Sequence, residues 1–239
     1  MKKIALILPC YNEAEDLQRK VETIKEYISK REDYSFSIVV VNDGSKDNTA
    51  EVASSIEGIE LVSYTPNGGK GHAVREGLRY CVDKGEADAM VFMDADLSTD
   101  LNCLPALLEK LDEVPFAVGS RYDKESNIVV KQPFKRRFVS FCSHIIIRTM
   151  FRFGIKDTQC GFKALNKDFA KLIVEKSQID GFSFDVEYLY IAKLNKVPYV
   201  SVPVTWTDDR GSTVKVFKSS VRFFFDLFKI KGKRKSYKA

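Results

Sequence analysis

Two histidines and five cysteines are all that 239 residues offer as soft metal ligands or triad bases. Neither His72 nor His144 has a partner at metal-ligand or triad spacing, and no G-x-S-x-G elbow occurs, which argues against zinc and hydrolase chemistry. Cys10, Cys81, Cys103, Cys142 and Cys160 form no C-x-x-C pair, so neither a disulfide framework nor a metal cage is expected, and a reducing cytosol suits the chain. Long apolar runs are missing as well. Arg148 and Arg152 interrupt the best stretch before it reaches the roughly 18 residues of a membrane span. The apolar run after Met1-Lys2-Lys3 ends at Pro9, too short and wrongly flanked for a signal peptide. Any membrane contact is therefore expected to be peripheral.

A hydrophobic content of 44% supports a sizeable core, and the length fits one large domain, expected over 1–213, with an amphipathic, polybasic segment at 214–239. The net charge of +5 is modest, but basic residues cluster in Lys131 to Arg137 and Lys229 to Lys238, beside aromatic and aliphatic residues.

Apolar runs at Ile4 to Leu8, Ile38 to Val41, Leu61 to Tyr64 and Met90 to Met93 predict buried strands. Helices are predicted between them: one opened by an Asn12/Glu15 capping box and carried by Ala14, Leu17, Val21, Ile24 and Ile28, one through Thr49 to Ile56, and one through Val74, Leu78 and Cys81. Such alternation predicts an α/β fold with a mostly parallel sheet flanked by helices. Further on, Phe116 to Ser120 and Pro198 to Val204 read as strands and Phe134 to Phe153 as a long helix.

Ligands bind beyond the carboxyl ends of strands in such sheets, where Asp43, the Asn67-Gly68-Gly69-Lys70-Gly71 turn and Asp94-Ala95-Asp96 all fall. In extended geometry Asp94 and Asp96 project to the same side, and two hard oxygen ligands suit Mg²⁺ or Mn²⁺ bridging a diphosphate. An isolated D-x-D is more often a polar turn; its convergence with Asp43 and the glycines lifts it above that. The glycine turn would let backbone approach phosphate oxygens, with Lys70 adding charge, although the Walker A spacing is absent.

Leu8-Pro9-Cys10-Tyr11-Asn12-Glu13, Val41-Asn42-Asp43-Gly44-Ser45 and Asp94-Ala95-Asp96, in this order at successive strand ends, resemble the inverting family-two glycosyltransferases of the GT-A fold. Gly119-Ser120-Arg121 and Asp157-Thr158-Gln159-Cys160-Gly161-Phe162-Lys163 resemble the polyprenyl-phosphate branch of that family. The resemblance, which extends to about Thr213, implies that Pro9, Tyr11, Glu13 and Asp43 hold the base and ribose, with Lys70 near the nucleotide. It implies that Asp94-Ala95-Asp96 contacts the nucleotide-sugar and the metal, Asp96 foremost. Arg121 and Lys163 would lie at the diphosphate and the acceptor phosphate. Ser98 stands where mannose-type synthases place a metal-binding Gln. Lys163 and the Trp206 to Ser212 segment look closer to the glucose synthases, which shifts the expected donor toward UDP-glucose over GDP-mannose. Asp185 and Glu187 lie where inverting relatives carry a base, though acidic residues also favour helix starts.

If the acceptor is a lipid phosphate, its oxyanion is already ionised and needs no strong base. A glycan or protein hydroxyl acceptor would need one; a non-catalytic nucleotide-sugar sensor would need neither Asp94, Asp96 nor Arg121. The 131–153 segment, with Lys131, Lys135, Arg136 and Arg137 ahead of Phe138, Phe141, Cys142, Ile145, Ile146 and Met150, reads equally as an interfacial helix or a core helix. Val221, Phe223, Phe224, Phe225, Leu227 and Phe228, followed by Lys229, Lys231, Lys233, Arg234 and Lys235, favour anionic lipid over nucleic acid. A peripheral enzyme at the cytoplasmic face is therefore expected, with oligomeric state left open.

Overall fold

The computed structural model describes residues 1–130, 134–208 and 216–239 and, within the helices that begin at 134 and 216, side chains from 140 and 222 onward. Among the described residues, nine strands and eight α-helices follow in chain order. The first half runs β1 (Lys2–Cys10), α1 (Leu17–Ser29), β2 (Tyr34–Asp43), α2 (Thr49–Ser55), β3 (Glu60–Tyr64), α3 (Lys70–Lys84), β4 (Ala89–Met93) and α4 (Leu104–Glu113). The second runs β5 (Phe116–Ser120), β6 (Asn127–Val130), α5 (Phe134–Phe151), β7 (Phe162–Asn166), α6 (Lys167–Lys176), α7 (Phe184–Leu194), β8 (Tyr199–Pro203), β9 (Thr205–Thr207) and α8 (Val216–Gly232).

Seven strands form one sheet in the order β3-β2-β1-β4-β7-β5-β8, parallel except for β7, which runs antiparallel to both β4 and β5. Because β1 pairs with β2 on one side and β4 on the other, the connections diverge there and leave a crevice beyond the carboxyl ends of these strands. Alternate residues face opposite layers. Ala5, Ile7, Val39 and Val41 pack against α3, α6, α7 and α8, whereas Ile4, Leu6, Leu8, Ile38 and Val40 pack against α1 and α4. Burial on both faces explains the unbroken apolar runs. Gly77 lets α3 lie directly on the sheet, since a Cβ there would meet Ile7 and Val41 side chains.

α8 contributes Phe223, Leu227 and Ile230 to the core, and beyond it Tyr237 is fully buried, donating from its hydroxyl to Glu187 at 2.6 Å. Two short strands, β6 and β9, pair separately, and a bridge from Thr99 to Trp206 ties β9 to the loop after Asp96.

The predicted strands and helices form, with two local corrections. The Asn12/Glu15 capping box is not made: α1 begins at Leu17, so Ala14 precedes it, and Asn12 adopts φ +57°. Its side-chain oxygen instead accepts from Lys46 N at 2.8 Å while its own N–H donates to Ser45 Oγ. Asn12 thus laces the first strand exit to the second. Asp94-Ala95-Asp96 is not extended; it lies in a turn after β4, closed by Leu97 N donating to Asp94 O at 3.1 Å. Side chains of Lys131, Lys135, Arg136, Arg137, Phe138 and Val221, and the Gly211-Ser212 pair, lie outside the described residues.

Candidate active site

Strand exits supply the first wall. Pro9 is half-buried near the end of β1, Tyr11 is exposed at the rim, and Glu13 accepts from Lys20 Nζ at 2.7 Å. Glu13 N donates to Thr49 Oγ1 at 2.9 Å, a second tie between the β1 and β2 exits.

Asp43, at the end of β2, is 3% exposed and works as an internal anchor. Its carboxylate accepts from Gly68 N at 2.7 Å, Gly69 N at 2.9 Å, Asn67 Nδ2 at 2.9 Å and the Tyr64 hydroxyl at 2.9 Å. Burial and this carboxylate push the Tyr64 hydroxyl far above its ordinary pKa. The glycine turn is therefore closed around Asp43, while Gly71 N and His72 N both donate to Asp180 O. A phosphate cradle built from these amides, as the sequence suggests, is corrected: their hydrogens already have partners. Lys70 is the group the turn presents.

Lys70 Nζ reaches Asp94 Oδ1 at 2.5 Å, with side chains 26% and 31% exposed. Burial, the largest single influence, works against the ammonium, but Asp94, Asp185 and Asp96 together outweigh it and hold the pKa above its usual value. Ala95 is buried beneath. The Asp96 carboxyl is pushed up, first by burial and then by the Asp94 charge, and Ser98 N donates to it at 2.9 Å.

β7 brings in the floor. Gly161 O accepts from Asp94 N at 3.0 Å, and a Cβ on Gly161 would land on the Asp94 carboxylate. Lys163 is fully buried, paired with Asp185 at the start of α7, and donates to Cys160 O at 2.5 Å. Burial raises the Asp185 pKa, with Lys163 and Lys70 opposing it. Charges thus alternate from Lys163 to Asp185, Lys70 and Asp94, and the series ends on a second carboxylate, Asp96. Glu187 faces elsewhere, accepting from Gln178 N, Ile179 N and the Tyr237 hydroxyl.

Arg121, at the end of β5, is pinned by Asp157, which is 0% exposed. The guanidinium donates at 2.7 and 3.0 Å and the Arg121 backbone N–H at 3.0 Å. Burial favours a neutral Asp157, but the Arg121 charge wins and lowers its pKa. Tyr122 and Trp206 rings flank the guanidinium at 5.6 and 5.5 Å. The sequence gives no local hint of this clamp, because its members stand 36 residues apart.

Among the described residues no three His, Cys, Asp or Glu side chains form a closed metal cage. Two adjacent carboxylates, one of them disfavoured by the other's charge, nonetheless fit a hard divalent cation that completes its shell with phosphate oxygens and water. Asp96, with Asp94 beside it, are the residues that could hold it.

A family model described as Glycosyl transferase family 2 matches residues 5–173. The chain belongs to that family. Among relatives of this family-2 glycosyltransferase, dolichyl-phosphate beta-glucosyltransferase of Dictyostelium discoideum is 32% identical over 95% of this chain and 73% of its own length. The Mus musculus protein of the same name is 30% identical over 96% of this chain and 75% of its own. A crystal structure of Mycobacterium tuberculosis glucosyl-3-phosphoglycerate synthase with Mn²⁺, UDP-glucose and phosphoglyceric acid matches with TM-score 0.72 at 16% identity, covering 97% of this chain and 80% of that one. That likeness establishes the GT-A fold of this family-2 chain.

Proposed function

We propose that this chain transfers glucose from UDP-glucose to a polyprenyl or dolichyl phosphate, with inversion and with Mg²⁺ or Mn²⁺ on Asp96 and Asp94. The observation that carries this reading is that both candidate bases are already engaged. Asp185 is ion-paired with buried Lys163, and Glu187 accepts three hydrogen bonds away from the crevice. A hydroxyl acceptor needs a free base; a lipid phosphate does not. The two relatives' names point to the same acceptor.

In this reading Pro9, Tyr11 and Glu13 frame the base and ribose, and Asp43 acts from below by fixing the turn that presents Lys70. The cation, when bound, supplies Lewis-acid neutralisation of the departing diphosphate. Lys70 adds a second positive charge there, delivered to the Asp94 side of the crevice. Arg121, immobilised by Asp157 and its aromatic flanks, attracts the acceptor phosphate and aligns it for in-line attack. Lys163 serves by holding Asp185, and Asp185 by fixing the electrostatics of Lys70.

The acceptor's lipid places the enzyme at a membrane surface. No helix among the described residues is long and apolar enough to cross one. α5 and α8 pack together and leave Phe141, Ile145, Phe225 and Phe228 exposed, with basic residues from Lys229 to Lys235 beyond. That combination suits peripheral contact with anionic lipid at the cytoplasmic face.

Purified protein with Mn²⁺ and a membrane lipid extract, given radiolabelled UDP-glucose, UDP-N-acetylglucosamine or GDP-mannose, tests the reading. UDP-glucose label should move into the organic phase. Label moving only into soluble glycan would replace the lipid-phosphate reading with the hydroxyl one.

A further inference from the structure

A pocket of about 360 Å³ opens where the end of α5, the last turn of α7 and the end of α8 meet. It lies at the opposite end of α7 from Asp185, so roughly 12 Å of helix separates it from the crevice. Its charged lining has one sign: Arg152, Lys193, Lys231 and Arg234, with no carboxylate among the lining residues.

Two of these cations have a local explanation. Lys193 Nζ donates to Phe151 O and Arg152 O at 2.8 Å, and Lys231 Nζ to Met150 O at 2.7 Å, satisfying carbonyls that the end of α5 leaves without helical partners. Lys231 also sits over the Phe151 and Tyr190 rings at 5.3 and 5.4 Å. Arg152 and Arg234 have no such explanation. Both are exposed, and neither makes an ion pair or side-chain hydrogen bond among the described residues. Arg152 moreover adopts φ +53° directly after α5, a position that ordinarily favours glycine.

We infer that this pocket binds the phosphate of an anionic phospholipid headgroup. Two guanidinium forks match phosphate oxygens, and the capping lysines add to the field. Lipid rather than free phosphate is indicated by α5 itself. Phe141, Ile145 and Arg148 recur at i, i+4 and i+7 and share one exposed stripe, which leads toward Arg152. Acyl chains along Phe141 and Ile145 would place a headgroup at the basic end. The inference rests on the membrane reading above and adds a defined site to it.

Vesicle flotation and phosphorus NMR test it together. Wild type should float with phosphatidylcholine vesicles containing phosphatidylglycerol in preference to phosphatidylcholine alone. Arg152→Gln/Arg234→Gln should lose roughly tenfold more of that affinity than the charge-matched Lys229→Gln/Lys235→Gln, because fork bonding adds to general attraction. Arg152→Lys/Arg234→Lys keeps the charge, removes the forks and should fall between them, all variants being checked for unchanged thermal melting. Equal losses in the two Gln pairs would overturn the site in favour of diffuse attraction. Broadening of the glycerol 3-phosphate signal without vesicle preference would overturn the lipid source. If wild type floats with no vesicle and broadens no phosphate signal, the inference falls, while label transfer to solubilised acceptor lipid would still stand by itself.

Discussion

Two neighbouring ion pairs, linked through the facing charges of Asp185 and Lys70, behave as opposites. Lys163 and Asp185 form a sealed floor, 0% and 7% exposed, whereas Lys70 and Asp94 form an open rim at 26% and 31%. The floor cannot exchange partners without uncovering a buried charge. The rim can, because solvent, a cation or a phosphate can replace either side. Scaffold and chemistry are thus assigned by depth rather than by residue type, and the same two amino acids serve both.

The largest test of this contrast is on the floor. Lys163→Met leaves Asp185 buried without its hydrogen-bonded partner and should destabilise the fold by about 3–5 kcal/mol in urea titration, while Lys163→Met/Asp185→Leu should recover most of that loss. Full activity in the double variant would break the claim that the floor tunes Lys70.

Next comes the rim. Asp96→Asn should lower transfer by roughly two to three orders of magnitude, the scale of losing a charge-stabilising group. Its stability should move the other way. Burial and Asp94 raise the Asp96 pKa, so the folded chain binds that proton more tightly than the unfolded one. Ionisation therefore costs stability as pH rises from the ordinary carboxylate value through the raised one, and the cost persists at neutral pH. Asp96→Asn should accordingly raise Tm near pH 7 and not below the unfolded carboxylate pKa, with roughly 2–4 °C expected per kcal/mol in a chain of this size. A variant that melts lower at neutral pH would contradict the open-rim assignment.

Gly161→Ala should follow. Its methyl group would displace the Asp94 carboxylate, so metal dependence should shift and turnover fall about tenfold with a stability cost of roughly 1–3 kcal/mol. The smallest effect is expected at Tyr237→Phe, which removes the hydroxyl from Glu187 and should cost about 1–2 kcal/mol without changing turnover.

Depth also separates what is legible in the sequence from what is not. Asp43 ends a strand, and Asp94 and Asp96 follow shortly after another, each strand carrying an unbroken apolar run, so local pattern places them at the crevice. Their conformation was not legible. Asn12 is drawn into a left-handed bend by Ser45 and Lys46 from another loop, and the Asp94 turn is closed by its own backbone and by Gly161 just ahead of β7. The glycine turn reads as a phosphate cradle because nothing nearby in sequence shows that Asp43 fills it. Lys163 and Asp157 carry no local sign of their partners. Each owes its partner to β7 running antiparallel into a parallel sheet, an insertion between β4 and β5 that no periodicity announces.

Titration calorimetry of UDP-glucose with and without Mn²⁺, on wild type and Asp96→Ala, tests the central claim most directly. Wild type should bind the sugar nucleotide tightly only with the cation present, and Asp96→Ala should show the weak, cation-independent affinity in both conditions. Equal affinity with and without Mn²⁺ in wild type, or an unchanged response in Asp96→Ala, would contradict the account.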